Sequence, residues 1–207
     1  MTRTTLVVVG ALALTACGGT NPGWGSQTLF VSARLSSDGS TDGTSARVEV
    51  RLGSSTGAVV PDATVTLKGN KLADRALTFR DNVGNGGAYV ADNFAWDSNF
   101  AIDVKHGDDN LVGSLDPPGA SIITAPIAGT TFRRADSTKL SLEKAKIDQS
   151  WANGAEPFHV ELEPSQLVAN DKERISLDRT SEVNLAGGTA GSVMRATTSH
   201  RIEVTVE

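Results

Sequence analysis

Cysteine is almost missing from this chain: Cys17 is the only one in 207 residues. A single thiol allows no internal disulfide, so the folded parts must be held together by packing. Aromatic residues make up only 5%, which leaves Val, Leu, Ile and Ala to build the core. Long apolar runs are lacking too, since Leu6 to Ala13 falls well short of the roughly 20 residues a spanning helix needs. Positive charge is scarce. The 19 Lys and Arg are outnumbered by 24 Asp and Glu, for a formal net charge of −5, so the electrostatic footprint of a nucleic-acid binder is absent. Neither a phosphate cradle of the G-x-x-x-x-G-K type nor a dinucleotide fingerprint occurs.

What is present begins at the N-terminus. Met1-Thr-Arg3-Thr-Thr, the apolar run and the small residues before Cys17 have the three parts of a secretory signal. Leu14-Thr15-Ala16-Cys17 resembles the lipobox of bacterial lipoproteins. The resemblance implies a signal peptide over residues 1–16, cleavage before Cys17, and acylation of Cys17 with a diacylglyceryl group and further chains such as palmitate. Two or more chains make anchoring stable, so the protein would be held on a membrane of the cell envelope by lipid. Gly18 after the cysteine, where an Asp could stand, implies the outer membrane if the cell is Gram-negative. The alternative is an ordinary signal peptide cut after Ala13 or Ala16, which leaves a free thiol. No polybasic stretch flanks Cys17, so attachment rests on lipid alone.

Residues 17–27 carry the lipidated Cys and then a stretch containing Gly, Asn and Pro with no periodicity, which reads as a flexible tether. Strict alternation starts at Leu29. Leu29, Val31, Ala33 and Leu35 form one face; Val48, Val50 and Leu52 alternate with Arg47, Glu49 and Arg51; Val65 and Leu67, then Ile102 and Val104, repeat the pattern. Period-two alternation predicts half-buried antiparallel strands. Asp38-Gly39, Asp42-Gly43, Pro61-Asp62, Gly69-Asn70 and Asn85-Gly86-Gly87 supply turns between them. Lys139–Ile147 is the one stretch with a helical alternative, although Leu140 and Leu142 fit a strand equally well.

Pro117-Pro118 cannot join a central ladder and marks the best boundary between residues 28–117 and 118–207. The second half opens with Ile123-Thr-Ala-Pro126-Ile-Ala-Gly129-Thr-Thr-Phe132 and is similar to the Ig-like modules of bacterial surface proteins, with Trp151 as a core aromatic. The first half, through Gly57-Ala-Val-Val-Pro-Asp62-Ala-Thr-Val-Thr-Leu67, resembles the same broad group. The resemblance implies an all-β chain: two tandem antiparallel Ig-like β-sandwiches after the signal peptide and tether. One large sandwich is the alternative.

Several residue groups carry candidate chemistry. Asp38, Ser40, Asp42 and Glu49 fit D-x-S-x-D-G-x5-E, close to the calcium loop of EF-hands, which needs clustered oxygens, a turn glycine and a late bidentate carboxylate. The flanks read as strands where an EF-hand has helices, and Asp-Gly is also ordinary hairpin punctuation. Asp108-Asp109-Asn110 and Asp81–Gly86 are weaker versions of the same loop. Gly53-Ser54-Ser55-Thr56-Gly57 matches the G-x-S-x-G nucleophile elbow, yet a strand and not a helix is expected after it. His159, Glu161 and Glu163 share one strand face by their spacing of two, although that face reads as the solvated one. Tyr89, Phe94 and Trp96 could line a sugar-stacking face or pack a sandwich core. Arg133-Arg134 reads as surface.

The expected function is non-enzymatic. The chain reads as an envelope binding, adhesion or assembly module, anchored to the membrane by its lipid and engaging another envelope or surface protein through loops or sheet edges. The alternatives are a calcium- or carbohydrate-binding β-sandwich, and an envelope hydrolase built from residues distant in sequence, such as Glu161 or Asp103.

Overall fold

The computed structural model describes residues 7–9, 28–38, 43–84, 86–119, 122–125, 127–132, 140–145, 159–162 and 171–206. Every regular element among them is a strand. In chain order these are β1 (Val7–Val9), β2 (Leu29–Ser37), β3 (Thr44–Leu52), β4 (Thr64–Gly69), β5 (Arg75–Ala76), β6 (Thr78–Arg80), β7 (Ala88–Asp92), β8 (Phe100–His106) and β9 (Asp109–Leu115). Then come β10 (Ile122–Ala125), β11 (Thr131–Phe132), β12 (Leu140–Ala145), β13 (His159–Leu162), β14 (Asp171–Asn184) and β15 (Val193–Val206). The chain is all-β, and the ambiguous stretch around Leu140 takes its strand alternative as β12.

The chain divides into two compact units. One comprises Leu12–Pro118 with Thr180–Thr197; the other comprises Met1–Ala11, Gly119–Arg179 and Thr198–Glu207. The first contains two sheets, one ordered β14-β15-β2-β3-β7-β6 and the other β5-β4-β8-β9. Along β2 buried residues alternate with exposed or half-buried ones without a break, as the sequence pattern predicts. Leu29, Val31, Ala33 and Leu35 of β2 and Val48 and Val50 of β3 are all 2% exposed or less. They share one core cluster with Val65 and Leu67 of β4 and Phe100, Ile102 and Val104 of β8. Two sheets closing on one apolar interior is the arrangement of a β-sandwich.

Two connections fix how the sheets meet. At Leu77 the chain changes sheets: Arg75–Ala76 pairs with β4, the Leu77 amide donates to the Val65 carbonyl, and Thr78–Arg80 pairs with β7. At residues 185–192 the turn between β14 and β15 clasps both layers. Ala186 exchanges backbone bonds with Val112 of β9, while Thr189 donates to the Leu29 carbonyl and the Ser192 hydroxyl accepts from the Val31 amide. Gly187 makes the clasp possible. Its φ is +85°, and a Cβ there would run into the backbone oxygen of Asn110.

Tyr89 holds a third joint. It lies in the core, edge-on to Phe79 with ring centroids 5.2 Å apart. Its hydroxyl accepts from the Ala63 amide at 2.7 Å and donates to the Val60 carbonyl at 2.9 Å. Burial and the nearby Asp62 carboxylate push its ionisation up against the opposing Ala63 bond, so the phenol keeps the proton it donates. Tyr89→Phe keeps the ring and deletes both bonds. The expected loss is about 1–3 kcal/mol, read as a lower urea midpoint at unchanged m-value.

The second unit is described in parts. β10, β12 and β13 form an antiparallel sheet in that order. Val7–Val9 lies parallel to Ser176–Asp178 of β14, and Thr131–Phe132 lies parallel to Thr205–Val206 of β15. Ile123, Ile175, Leu177, Ile202 and Val204 are buried. The Ile123 amide donates to His200 Nδ1 at 2.9 Å, and the Thr198 hydroxyl donates to the Gly119 carbonyl at 3.1 Å.

Candidate functional site

A cluster of charged side chains grows from the outward positions of β2 and β3. With Val48 and Val50 turned into the core, Arg47, Glu49 and Arg51 stand on the opposite face of β3. Arg47 donates to Glu49 Oε1 at 2.6 Å, and Arg51 Nη2 lies 3.7 Å from Glu49 Oε2. The other fork of Arg51 donates to the Gly57 carbonyl at 3.0 Å, which ties the Gly53–Gly57 turn down onto the strand. On β2 the residues facing these three are Arg34 opposite Arg47, Ser32 opposite Glu49 and Phe30 opposite Arg51. Two guanidinium groups thus stand directly across the ladder from each other, a pairing that costs stability unless an anion intervenes. Gly84 closes one side, so near the Arg47 guanidinium that a Cβ there would collide with it.

Of the remaining calcium-pattern residues, Asp38 alone is described. The Asp38 amide donates to the Gly43 carbonyl at 3.3 Å, and a Cβ on Gly43 would strike the Asp38 carboxylate, so these two residues stand close together. Ser40 and Asp42 lie outside the described residues. Glu49 lies five residues beyond Thr44, the first residue of β3, a rise of about 17 Å at roughly 3.4 Å per residue. Its carboxylate is taken by Arg47 and Arg51. Among the described residues no three His, Cys, Asp or Glu side chains gather as metal ligands.

The other sequence candidates are dispersed. Gly53–Gly57 folds back on β3, with the Leu52 amide donating to the Ala58 carbonyl and a hydroxyl contact of 3.2 Å between Ser54 and Thr56. No helix follows it. Tyr89 and Phe94 are core residues, and Trp96 is half-buried with its indole N–H donating to the Pro118 carbonyl at 3.2 Å. Asp103 lies between Lys105 at 3.5 Å and Lys68 at 3.7 Å. His106 Nε2 lies 3.3 Å from Asp62 Oδ1. His159 and Glu161 occupy β13, opposite Glu143 and Ser141. Cys17, Arg133-Arg134, Trp151 and Glu163 lie outside the described residues.

Asp97 is a site that motif reading passes over. It is 5% exposed in the loop between β7 and β8. Its Oδ2 accepts from the amides of Lys71 at 2.6 Å and Leu72 at 2.9 Å, and its Oδ1 accepts from the Ser98 amide at 2.6 Å and hydroxyl at 3.3 Å. Burial alone would push the carboxyl up, but these donors outweigh it and hold Asp97 below the usual carboxylate range. The group braces the loop after β4 by accepting hydrogen bonds and donating none. Its only sequence signal is a lone Asp beside Ser98.

No protein-family model matches the chain, and no curated protein matches it either.

Proposed function

We propose that this chain is a lipid-anchored cell-envelope protein, a non-enzymatic binding, adhesion or assembly module. In this reading Cys17 carries the acyl chains, residues 18–27 form the tether, and the folded part consists of two tandem Ig-like β-sandwiches that engage another envelope or surface protein. The observation that carries it is Leu14-Thr15-Ala16-Cys17, which places the only thiol directly after the small residues of a cleavage site. The two-sheet architecture of the first unit supports the module reading, because short strands leave their connecting loops free to vary and to bind.

Cys17→Ala is the test. Fractionation of cells should find the wild type with the membranes and the variant in the soluble fraction, and labelling with a palmitate analogue should mark only the wild type. If the variant stays on the membrane, or the wild type takes no label, the anchoring reading fails.

A further inference from the structure

Of the two arginines that face each other on β2 and β3, Arg47 is bonded to Glu49 and Arg34 stands exposed. On the same sheet Arg80 lies 4.0 Å from Asp92, and Arg195 is bonded to Glu182. Between those neutral flanks stand Arg34, Arg47 and Arg51 with one carboxylate, Glu49. Arg34 and Arg47 thus bring positive charge to the outer face of a chain whose formal net charge is −5. Arg34 is exposed and has no acidic partner among the described residues. Its position opposite Arg47 is unfavourable by itself and becomes favourable once an anion sits between or above the two.

We propose that this face docks on anionic lipid headgroups. The position of the anchor selects a membrane over an acidic protein, so the proposal rests on the lipid-anchored reading. Thr28 directly precedes β2, the strand that carries Arg34. The ten tether residues between Cys17 and Thr28 reach only about 17 Å r.m.s.. A chain anchored at Cys17 therefore keeps the start of β2 close to the bilayer surface. Arginine suits the task because its planar fork meets phosphate oxygens in pairs. The lipid supplies attachment, and the face supplies orientation, turning the excess negative charge of the rest of the chain away from the bilayer.

The test uses the full chain with Cys17→Ser, so that acylation plays no part, and vesicles of phosphatidylcholine with or without phosphatidylglycerol. The leader contributes equally to every variant, so the readout is the ratio between variants of the preference for phosphatidylglycerol. Each arginine near an anionic surface changes partition by about five-fold. Arg34→Gln should therefore cut the preference about five-fold and Arg34→Glu about 25-fold, and the difference should vanish in 1 M salt, where screening is complete within about 3 Å. Arg34 is exposed, so an unchanged melting temperature would show the fold intact. Lys71→Gln, at an exposed lysine after β4 of the other sheet, should leave the preference unchanged.

Equal partition of wild type and Arg34→Glu would overturn the proposal, as would a Lys71→Gln effect as large as that of Arg34→Gln. Arg34-dependent binding to a poly-glutamate peptide without any vesicle preference would also overturn it, and assign the face to an acidic protein. Because residue 17 is serine throughout, failure here leaves acylation at Cys17 untouched, and failure of the Cys17→Ala fractionation leaves a positive vesicle result standing.

Discussion

Phe100→Ala should remove about 3–5 kcal/mol from the stability of the first unit. Phe100 is fully buried at the start of β8, and its ring makes edge-on contacts with Phe94 and Trp96 at centroid distances of 5.8 and 5.1 Å. Truncation deletes both aromatic contacts and opens a cavity beneath two further rings. Domains of this size have about 5–15 kcal/mol in all, so the variant would sit near its unfolding midpoint under mild conditions. Urea unfolding followed by circular dichroism measures the loss, with Trp96 fluorescence as a local reporter. A loss below about 1 kcal/mol would mean that the ring is not packed as described.

Asp97→Ala should rank next, at about 2–4 kcal/mol, since hydrogen bonds to a charged group are each worth about 1.5–3 kcal/mol and water can replace some of those to the Lys71–Leu72 loop. The pH dependence gives this prediction a second handle. The folded carboxyl titrates below its ordinary range, so folding favours the charged form. The stabilisation is present above the unfolded value near 3.9 and is lost as pH falls through the folded value. Wild type should lose stability below about pH 4. Asp97→Asn should start lower at neutral pH and show a shallower decline through the same acid window. Parallel curves for the two proteins would remove Asp97 from the acid response.

The strands legible in the sequence were those with one wet face. Leu29–Leu35, Val48–Val50, Val65–Leu67 and Ile102–Val104 alternate plainly because each second residue touches core and each other one touches water. The short strands β5 to β7 carried no such signal. Arg75–Arg80 serves two sheets within six residues, so no single face persists long enough to make a pattern. Tyr89, Phe94 and Trp96 admitted either a stacking surface or a core, and burial decided for the core at Tyr89 and Phe94, with Trp96 packed at its margin. The arginine face and Asp97 escaped notice for one physical reason. Arg34 meets Arg47, and Asp97 meets Lys71, only through pairing and looping, and spacing along the chain encodes neither encounter.

The return of Thr180–Thr197 to the first unit sets a timetable for assembly. Val31, in the first described strand of the unit, hydrogen-bonds to Ser192, 161 positions later, and Met194 and Ala196 complete the same core. A chain emerging N-terminus first therefore exposes β2 long before its neighbour β15 exists, and the whole of Gly119–Arg179 must emerge in between. Contacts so distant close slowly. Until residue 197 is out, the edge of β2 and the apolar side of the unfinished sheet are open to whatever the chain meets first. The hairpin that finishes the sheet thus also ends the period in which this protein is vulnerable to mispairing.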